Sequence, residues 1–192
     1  SAAANNIELT PLNPGEIAVV AVAPGPGIAK VFASMGVTAI VEGGQTMNPS
    51  TQDIMAAFEN LPTNNVVILP NNKNIVLCSQ AAADLTVKNV KVIRSKTVPQ
   101  GLAAMMRLLP HGDFDKVTSD MKSALKDVET GEITTATRTV EIDGVKVNDG
   151  EIIALLNGKL VLSAKSLEEG CLGLLEKIDM DDYEIMTLFH GN

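Results

Sequence analysis

Aromatic and basic residues are both scarce in this chain. Its 192 residues include no Trp, one Tyr and four Phe, and 15 Lys and Arg stand against 23 Asp and Glu, for a formal net charge of −8. A nucleic-acid-binding surface needs cationic side chains for phosphates and often aromatic rings for bases, so the composition argues against that class. The absence of a basic amphipathic segment likewise disfavours binding to anionic membranes.

Cysteines and long apolar runs are also few. Cys78 and Cys171 both fall in apolar helical patterns, which is typical of buried, reduced thiols in a cytoplasmic protein; a disulfide between them is the less favoured alternative. No apolar run reaches the roughly 18 to 20 residues that a membrane-spanning helix needs. The chain opens without an initiator Met, so we expect residues 1–14 to be a linker or an expression remnant on a piece of a longer protein.

Aliphatic residues are abundant, and 45% of the chain is hydrophobic. Between residues 15 and 110, Val- and Ile-rich runs alternate with helical patterns. The predicted strands are 17–23, 36–41, 65–69 and 90–94, and the predicted helices are 28–35, 51–60, 75–83 and 102–109. Such a pattern predicts an α/β lobe, with a parallel sheet covered by helices on both faces. Right-handed crossovers would place the four loops that follow the strands at one edge of the sheet.

Residues 111–192 have a different pattern, which begins after the break at Pro110. Their predicted elements are a helix over 115–128, strands over 132–142, 145–147, 151–156, 159–164 and 183–189, and a helix over 166–178. Asp143-Gly144 is typical of a hairpin turn, and Ser166 with Glu169 is typical of a capping box. The sequence therefore predicts a smaller α+β lobe with antiparallel strands, packed against the parallel lobe.

Polar, glycine-rich loops follow the four predicted parallel strands, and the loop that begins at Gly43 is the most specific. Asn48 or Ser50 can cap the next helix, and Pro49 suits its first turn. Because ligands of open α/β sheets bind at this edge, we expect a partner- or ligand-binding surface there. The candidate residues, all from these loops, are Gly25, Gly27, Gly43, Gly44, Gln45, Thr46, Asn48, Ser50, Thr51, Asn71, Asn72, Lys73, Asn74, Ser95, Lys96, Thr97 and Gln100.

Simpler interpretations compete at several of these positions. The loop 24–27 could cradle a phosphate, but it lacks the spacing of known phosphate-binding motifs, and a tight turn is favoured. The Asn-rich run 71–74 could bind a ligand or only cap a helix. Lys73 and Lys96 together would suit a phosphate, a carboxylate or an acidic partner loop. No catalytic or metal-binding residue is predicted, because the two histidines are isolated and no nucleophile motif occurs.

At these loops the chain resembles the C-terminal domain of the large, ATP-binding subunit of bacterial fatty acid kinase, a member of the dihydroxyacetone-kinase-like family. The resemblance is carried by Val41–Thr51 (VEGGQTMNPST), Ile68–Asn74 (ILPNNKN), Val98–Gly101 (VPQG) and Thr130–Thr134 (TGEIT). It implies a cytoplasmic kinase, a transferase of phospholipid metabolism, with kinase and middle domains N-terminal to this one. ATP and Mg²⁺ would bind in that kinase domain, and this domain alone would need no cofactor.

The resemblance also implies a partner, a DegV-like protein that binds a fatty acid and presents its carboxylate for phosphorylation. This domain would then dock the partner without being catalytic itself. The alternative is the small-molecule-binding lobe of a dihydroxyacetone-kinase-like phosphotransferase; that lobe holds its substrate through a covalent His, and no His occurs in the four loops here. A homodimer built on Met-rich surfaces is a further alternative.

Overall fold

The apolar runs of the first half form a four-stranded parallel sheet. A computed structural model describes residues 7–44, 46–142 and 144–191 of the chain. The strands are β1 (Ala18–Ala23), β2 (Ala39–Glu42), β3 (Asn65–Leu69) and β4 (Asn89–Val92), and their order across the sheet is β2-β1-β3-β4. All six residues of β1 are buried, as expected for a central strand that is covered on both sides.

Helices cover both faces of this sheet, as predicted. They are α1 (Pro26–Ser34), α2 (Thr51–Ala56), α3 (Val76–Leu85), α4 (Val98–Met105) and α5 (Phe114–Ala124). Alternate residues of β1 point to opposite sides, and Val19 packs with Phe32 of α1 and with residues of α4 and α5. Val20 packs on the other face with Phe58 and with residues of α3.

The division between the two parts of the chain lies later than predicted. A first unit ends at Val128 and a second begins at Glu129, whereas the sequence pattern placed the change at 110/111. The reason is α5, whose residues Phe114, Val117 and Met121 belong to the core of the first unit.

The first unit also includes part of the segment interpreted as a linker. Ile7 and Leu12 are partly buried, and each packs against one of the two core clusters. The turn that precedes β1 is closed by two hydrogen bonds that Asn13 donates to the Glu16 carboxylate, from its backbone N and its Nδ2. Ile7 and Leu12 thus pack with the first unit, within the segment 1–14 that the sequence predicts to be a linker or an expression remnant.

The second unit is α+β with antiparallel strands, as predicted. Strands β5 (Gly131–Thr135), β8 (Ile152–Leu156) and β9 (Lys159–Ala164) form one sheet, and β6 (Val140–Ile142) pairs with β7 (Val145–Val147). Helix α6 (Leu167–Leu175) packs on the three-stranded sheet. Ser166 caps it and accepts a hydrogen bond from the Glu169 N, but the Glu169 carboxylate reaches the Lys165 N, so the capping box is not reciprocal.

Two strand predictions in this unit are wrong. The continuous strand over 132–142 is interrupted, because β5 leaves its pairing with β8 after Thr135 and β6 pairs with β7 instead. The strand over 183–189 is also not found: a 3-10 turn (Met180–Asp182) is followed by irregular chain with exposed apolar side chains, among them Leu188 at 81%. Alternation of apolar residues alone does not make a strand without a partner for its backbone groups. Asp143, in the predicted hairpin turn, lies outside the described residues.

Candidate functional site at the carboxyl edge of the parallel sheet

The carboxyl edge of the parallel sheet carries the four loops that the sequence singled out. Loop 1 (24–25) follows β1, loop 2 (43–50) follows β2, loop 3 (70–75) follows β3, and loop 4 (93–97) follows β4. Gly27, predicted in loop 1, lies in the first turn of α1. The chain continues from β1 into α1 on one face and from β3 into α3 on the other. Strands β1 and β3 are neighbours, so they flank the position where ligands of open α/β sheets bind.

Buried Asn71 joins three of these structural elements. Its Nδ2 donates to the Val22 carbonyl oxygen of β1 at 2.9 Å, and its Oδ1 accepts from the Ser95 Oγ of loop 4 at 2.8 Å. The backbone N of Asn71 also donates to the Ser95 Oγ, at 3.0 Å. Asn71 has φ +55°, a left-handed conformation that asparagine tolerates better than most residues. Both candidate residues therefore have a structural role, because their polar groups are used inside the unit.

Gly101 of α4 completes this arrangement. The Cβ of any larger residue there would overlap the Asn71 carboxamide, so glycine is required for α4 to begin beside loop 3. Thr97 caps α4 by accepting a hydrogen bond from the Gln100 N. The Gln100 side chain accepts from the Lys96 N and donates to the Leu125 carbonyl oxygen. These contacts explain the conformation of loop 4 without a ligand.

Loop 2 is held by close packing at its glycines. A Cβ at Gly43 would lie 2.7 Å from the Cδ of Pro49, and one at Gly44 would lie 2.7 Å from the Cβ of Pro24. Larger residues would push loop 2 away from loop 1 and from its own helix. Gln45, the amide that follows them, lies outside the described residues.

Ser50 caps α2 through a complete capping box. Its Oγ accepts from the Asp53 N, and the Asp53 carboxylate accepts from the Ser50 N and Oγ. The hydrogen bond from the Ser50 side chain, and to a smaller extent the one from its backbone N, hold the pKa of Asp53 below its usual value. Pro49 precedes the cap and is buried, so its predicted place in the first helical turn is wrong. With only six residues, α2 is also much shorter than the predicted helix over 51–60.

Other candidate residues project into solvent. The exposed ones are Gly27, Thr46, Asn48, Ser50, Lys73, Asn74 and Lys96, while Gly25, Gly44, Thr51, Asn72, Thr97 and Gln100 are half-buried and Gly43, Asn71 and Ser95 are buried. Among the half-buried group, Asn72 accepts a hydrogen bond from the Asn74 N within loop 3, but α3 has no side-chain cap, so the interpretation of the Asn-rich run as a helix cap is wrong. The structure thus separates side chains that build the edge from those that are available to a partner.

Exposed cations cluster near loops 3 and 4. In the part of the chain that the structure describes, Lys73, Arg94 and Lys96 form no ion pair; Arg94 contacts only the Gln80 Oε1, at 3.5 Å. The sequence pattern did not identify Arg94, because the predicted strand over 90–94 ends at this residue, whereas β4 ends at Val92. It also missed Leu77, in the first turn of α3, whose side chain is 82% exposed. An apolar residue on the outward face of a helix N-terminus is the pattern that could have identified it.

Among the described residues, no group of three His, Cys, Asp or Glu residues has the arrangement of a metal site. Nor does any helix of the described ranges combine the length and apolar character that crossing a bilayer requires. Both cysteines are free and half-buried rather than fully buried, and burial raises the pKa of the Cys78 thiol.

Comparison with known proteins supports the resemblance. A family model for the C-terminal domain of FakA-like fatty acid kinase proteins matches residues 18–192. An uncharacterised protein of Staphylococcus epidermidis is 40% identical over 176 residues, which cover 92% of this chain and 32% of that protein. Protein YloV of Bacillus subtilis is 38% identical over 173 residues, 90% of this chain and 31% of YloV. The chain thus spans about a third of the length of these relatives.

Proposed function

Because this chain belongs to the family of FakA-like fatty acid kinase C-terminal domains, we propose that its carboxyl edge docks a DegV-like fatty-acid-binding protein. Docking would present the carboxylate of the bound fatty acid to a kinase domain elsewhere in the longer protein. That domain would bind ATP and Mg²⁺ and transfer the phosphoryl group. The role of this chain would be recognition, in the cytoplasm, of the protein that carries the acceptor.

The exposed, unpaired cations Lys73, Arg94 and Lys96 are the observation that carries this proposal. In a unit that has as many acidic as basic residues, they give loops 3 and 4 a local excess of positive charge, and the exposed Leu77 follows loop 3 in the first turn of α3. Charged residues around an apolar contact are typical of transient protein interfaces, where they accelerate association and select the partner. A partner with an acidic loop would complement this area.

The extent of the edge favours a protein over a small molecule. Four parallel strands at their usual spacing span about 15 Å, and each of their loops exposes at least one residue. A protein interface is a broad surface of this kind, whereas small molecules bind in enclosed pockets. Covalent attachment of dihydroxyacetone needs a histidine, and none occurs in these loops.

A double substitution, Lys73→Ala with Lys96→Ala, tests the proposal. We expect calorimetric titration with a DegV-like protein loaded with a long-chain fatty acid to show binding about five- to tenfold weaker than for the unchanged chain, since each exposed charge contributes modestly. The melting temperature should not change, because both side chains are exposed.

The matched control is Lys116→Ala with Lys122→Ala, which removes two exposed lysines from α5 in the same unit. It should bind the partner as tightly as the unchanged chain. Equal weakening by both pairs would show that general charge, and not the carboxyl edge, governs the affinity. Titration of the chain with ATP should release no heat of binding; saturable ATP binding would place the nucleotide here and contradict the assignment of roles.

A further inference from the structure

The second unit has its own open groove, between α6 and β9. Leu162 of β9 and Leu172 of α6 both line it, and 56% of the surface of Leu172 is exposed. Gly173 brings the helix close to the strand, since a Cβ there would lie 2.8 Å from the Leu162 Cδ2. The groove has a volume of about 550 Å³. Leu162 and Leu172 together form an apolar strip along the groove.

Acidic residues border this apolar strip. Glu168 lies four residues before Leu172 in α6, and Glu176, the C-cap residue that still has a helical backbone, lies four residues after it, so the three lie on one side of the helix. Glu169 also lines the groove, with its carboxylate bound to the Lys165 N. The helix therefore presents an apolar side chain flanked by carboxylates on its exposed face.

The charge of the whole unit has the same sign. Residues 129–192 contain thirteen Asp and Glu against five Lys and Arg, a net charge of −8, whereas residues 1–128 contain ten of each. The entire formal charge of the chain is thus carried by the second unit. Such a field attracts cationic partners and repels polyanions over distances of about a Debye length, roughly 8–10 Å at physiological salt.

We propose that the groove between α6 and β9 docks a cationic amphipathic segment of a partner protein. Apolar side chains of that segment contact Leu162 and Leu172, and its Lys or Arg side chains pair with Glu168 and Glu176. Charge complementarity selects this occupant: anionic lipid surfaces and nucleic acids are repelled, and a second copy of this unit would bring net charges of −8 together. The surface is distinct from the carboxyl edge of the first unit, whose exposed cations select the opposite charge.

A simple probe is a fluorescein-labelled peptide of about eighteen residues that contains only Leu and Lys, patterned as an amphipathic helix. Its fluorescence anisotropy with the intact 192-residue chain should show saturable binding that weakens as salt is added. Glu168→Gln with Glu176→Gln should weaken that binding about fivefold, as expected for two partly screened ion pairs. Leu172→Ala should weaken it about tenfold, as an apolar anchor does. These side chains are exposed, so circular dichroism should show an unchanged fold.

The matched control is Asp181→Asn with Glu184→Gln, which removes two charges from the same unit at exposed residues that do not line the groove. It should leave the affinity within about twofold of the unchanged chain, because exposed charges away from the contact contribute little. Equal weakening by both double variants, or no saturable binding, would overturn the proposal. So would binding to phosphatidylserine vesicles that is lost in Leu172→Ala, or a dimer in sedimentation experiments that this substitution dissociates. Neither outcome bears on the carboxyl edge, which the lysine variants of the first unit test separately.

Discussion

The two units bury apolar surface to different extents. Among the described residues, 27 hydrophobic side chains are buried in the first unit and five in the second, although the first unit is only twice as long. The first unit covers its sheet on both faces, so every residue of β1 is buried. The three-stranded sheet of the second unit has a single helix, α6, packed on it. Most of its strand residues are therefore only half-buried.

The two units also differ in net charge. The first unit is neutral overall, and three of its exposed cations, Lys73, Arg94 and Lys96, lie in loops 3 and 4 without an ion pair among the described residues. The second carries the entire −8 charge of the chain on half the number of residues. A high net charge on a small core opposes compaction, and we therefore expect the second unit to be the less stable of the two.

The largest expected effect is that of Phe32→Ala. Phe32 is fully buried between α1 and the sheet, and its truncation should lower the free energy of unfolding of the first unit by about 3–5 kcal/mol. Urea unfolding can resolve the two units, because Tyr183 is the only Tyr in a chain without Trp and lies in the second unit. Circular dichroism should show the loss, whereas the transition in Tyr183 fluorescence should not move.

A surface substitution in the same unit provides the control for Phe32→Ala. Leu77→Ala, at an exposed position of α3, should change the free energy of unfolding by less than about 0.5 kcal/mol. In the unchanged chain, the fluorescence transition should occur at a lower urea concentration than the main transition in circular dichroism. If both probes give one transition that Phe32→Ala displaces in full, the units unfold together and the contrast in stability is absent.

The next prediction compares two asparagines with a left-handed backbone, Asn71 with φ +55° and Asn157 with φ +52°. Glycine adopts this conformation readily, so Asn→Gly isolates the contribution of each side chain. Asn71→Gly should cost about 2–3 kcal/mol, because it leaves the buried Val22 carbonyl oxygen without its donor and removes the acceptor of the Ser95 hydroxyl proton. Asn157→Gly should cost less than about 1 kcal/mol, because the side chain of Asn157 is exposed and water can replace the bond that it accepts from the Thr130 N and the bond that it donates to the Glu129 carboxylate.

Alanine at the same two positions is the control for the backbone. Each Asn→Ala variant should be less stable than the corresponding Asn→Gly variant by about 1–2 kcal/mol, the cost of a left-handed conformation for a residue with a Cβ. Chemical denaturation measures all four variants. Equal losses for Asn71→Gly and Asn157→Gly would show that burial of the Asn71 network contributes nothing to stability.

Asn71 also illustrates how far the sequence predicts this structure. Local pattern predicts β3 at its observed bounds, since an apolar run between Asn65 and Pro70 leaves no other choice. It also predicts that the loops share one edge, because parallel strands require it. The pairing of Asn71 with Ser95 depends on residues 24 positions apart, and the need for Gly101 depends on that pairing. Such long-range contacts decide which loop residues are structural, and no local pattern encodes them.

Similar limits apply to the second unit. The alternating pattern over 132–142 predicts one strand, but the register with β8 ends at Thr135 and the chain changes partner. The tail after Tyr183 alternates in the same manner and is irregular. A strand in a small, half-exposed sheet is determined by its neighbour more than by its own residues. The local sequence pattern therefore predicts strands more accurately in the first unit, where burial on both faces makes each strand a continuous apolar run.

One turn occurs in both units and allows a direct comparison between them. Asn13-Pro14-Gly15-Glu16 and Asn148-Asp149-Gly150-Glu151 each have a glycine with positive φ at the third position, and the Glu N donates to the Asn carbonyl oxygen. In both turns the Asn backbone N and Nδ2 donate to the Glu carboxylate. Glu16 is buried and pairs with His111, whereas Glu151 is half-buried and also accepts from the Ser163 Oγ.

The final prediction concerns the pH dependence of these turns. Hydrogen bonds from the Asn148 side chain and backbone, and then from Ser163, lower the pKa of Glu151 from 4.5 to about 2. A carboxylate whose pKa is lower in the folded state stabilises it above the unfolded value, so this contribution is complete above pH 4.5 and is lost as the pH falls from 4.5 towards 2. NMR titration of the carboxyl carbons should show Glu151 ionised to about pH 2, and Asn148→Ala should return its pKa towards 4.5.

The matched change Asn13→Ala should raise the pKa of Glu16 and leave that of Glu151 unchanged, because the Asn13 side chain is the main cause of the lowered pKa of Glu16. An ordinary pKa for Glu151 in the unchanged chain would show that the second turn does not hold its carboxylate as the first one does.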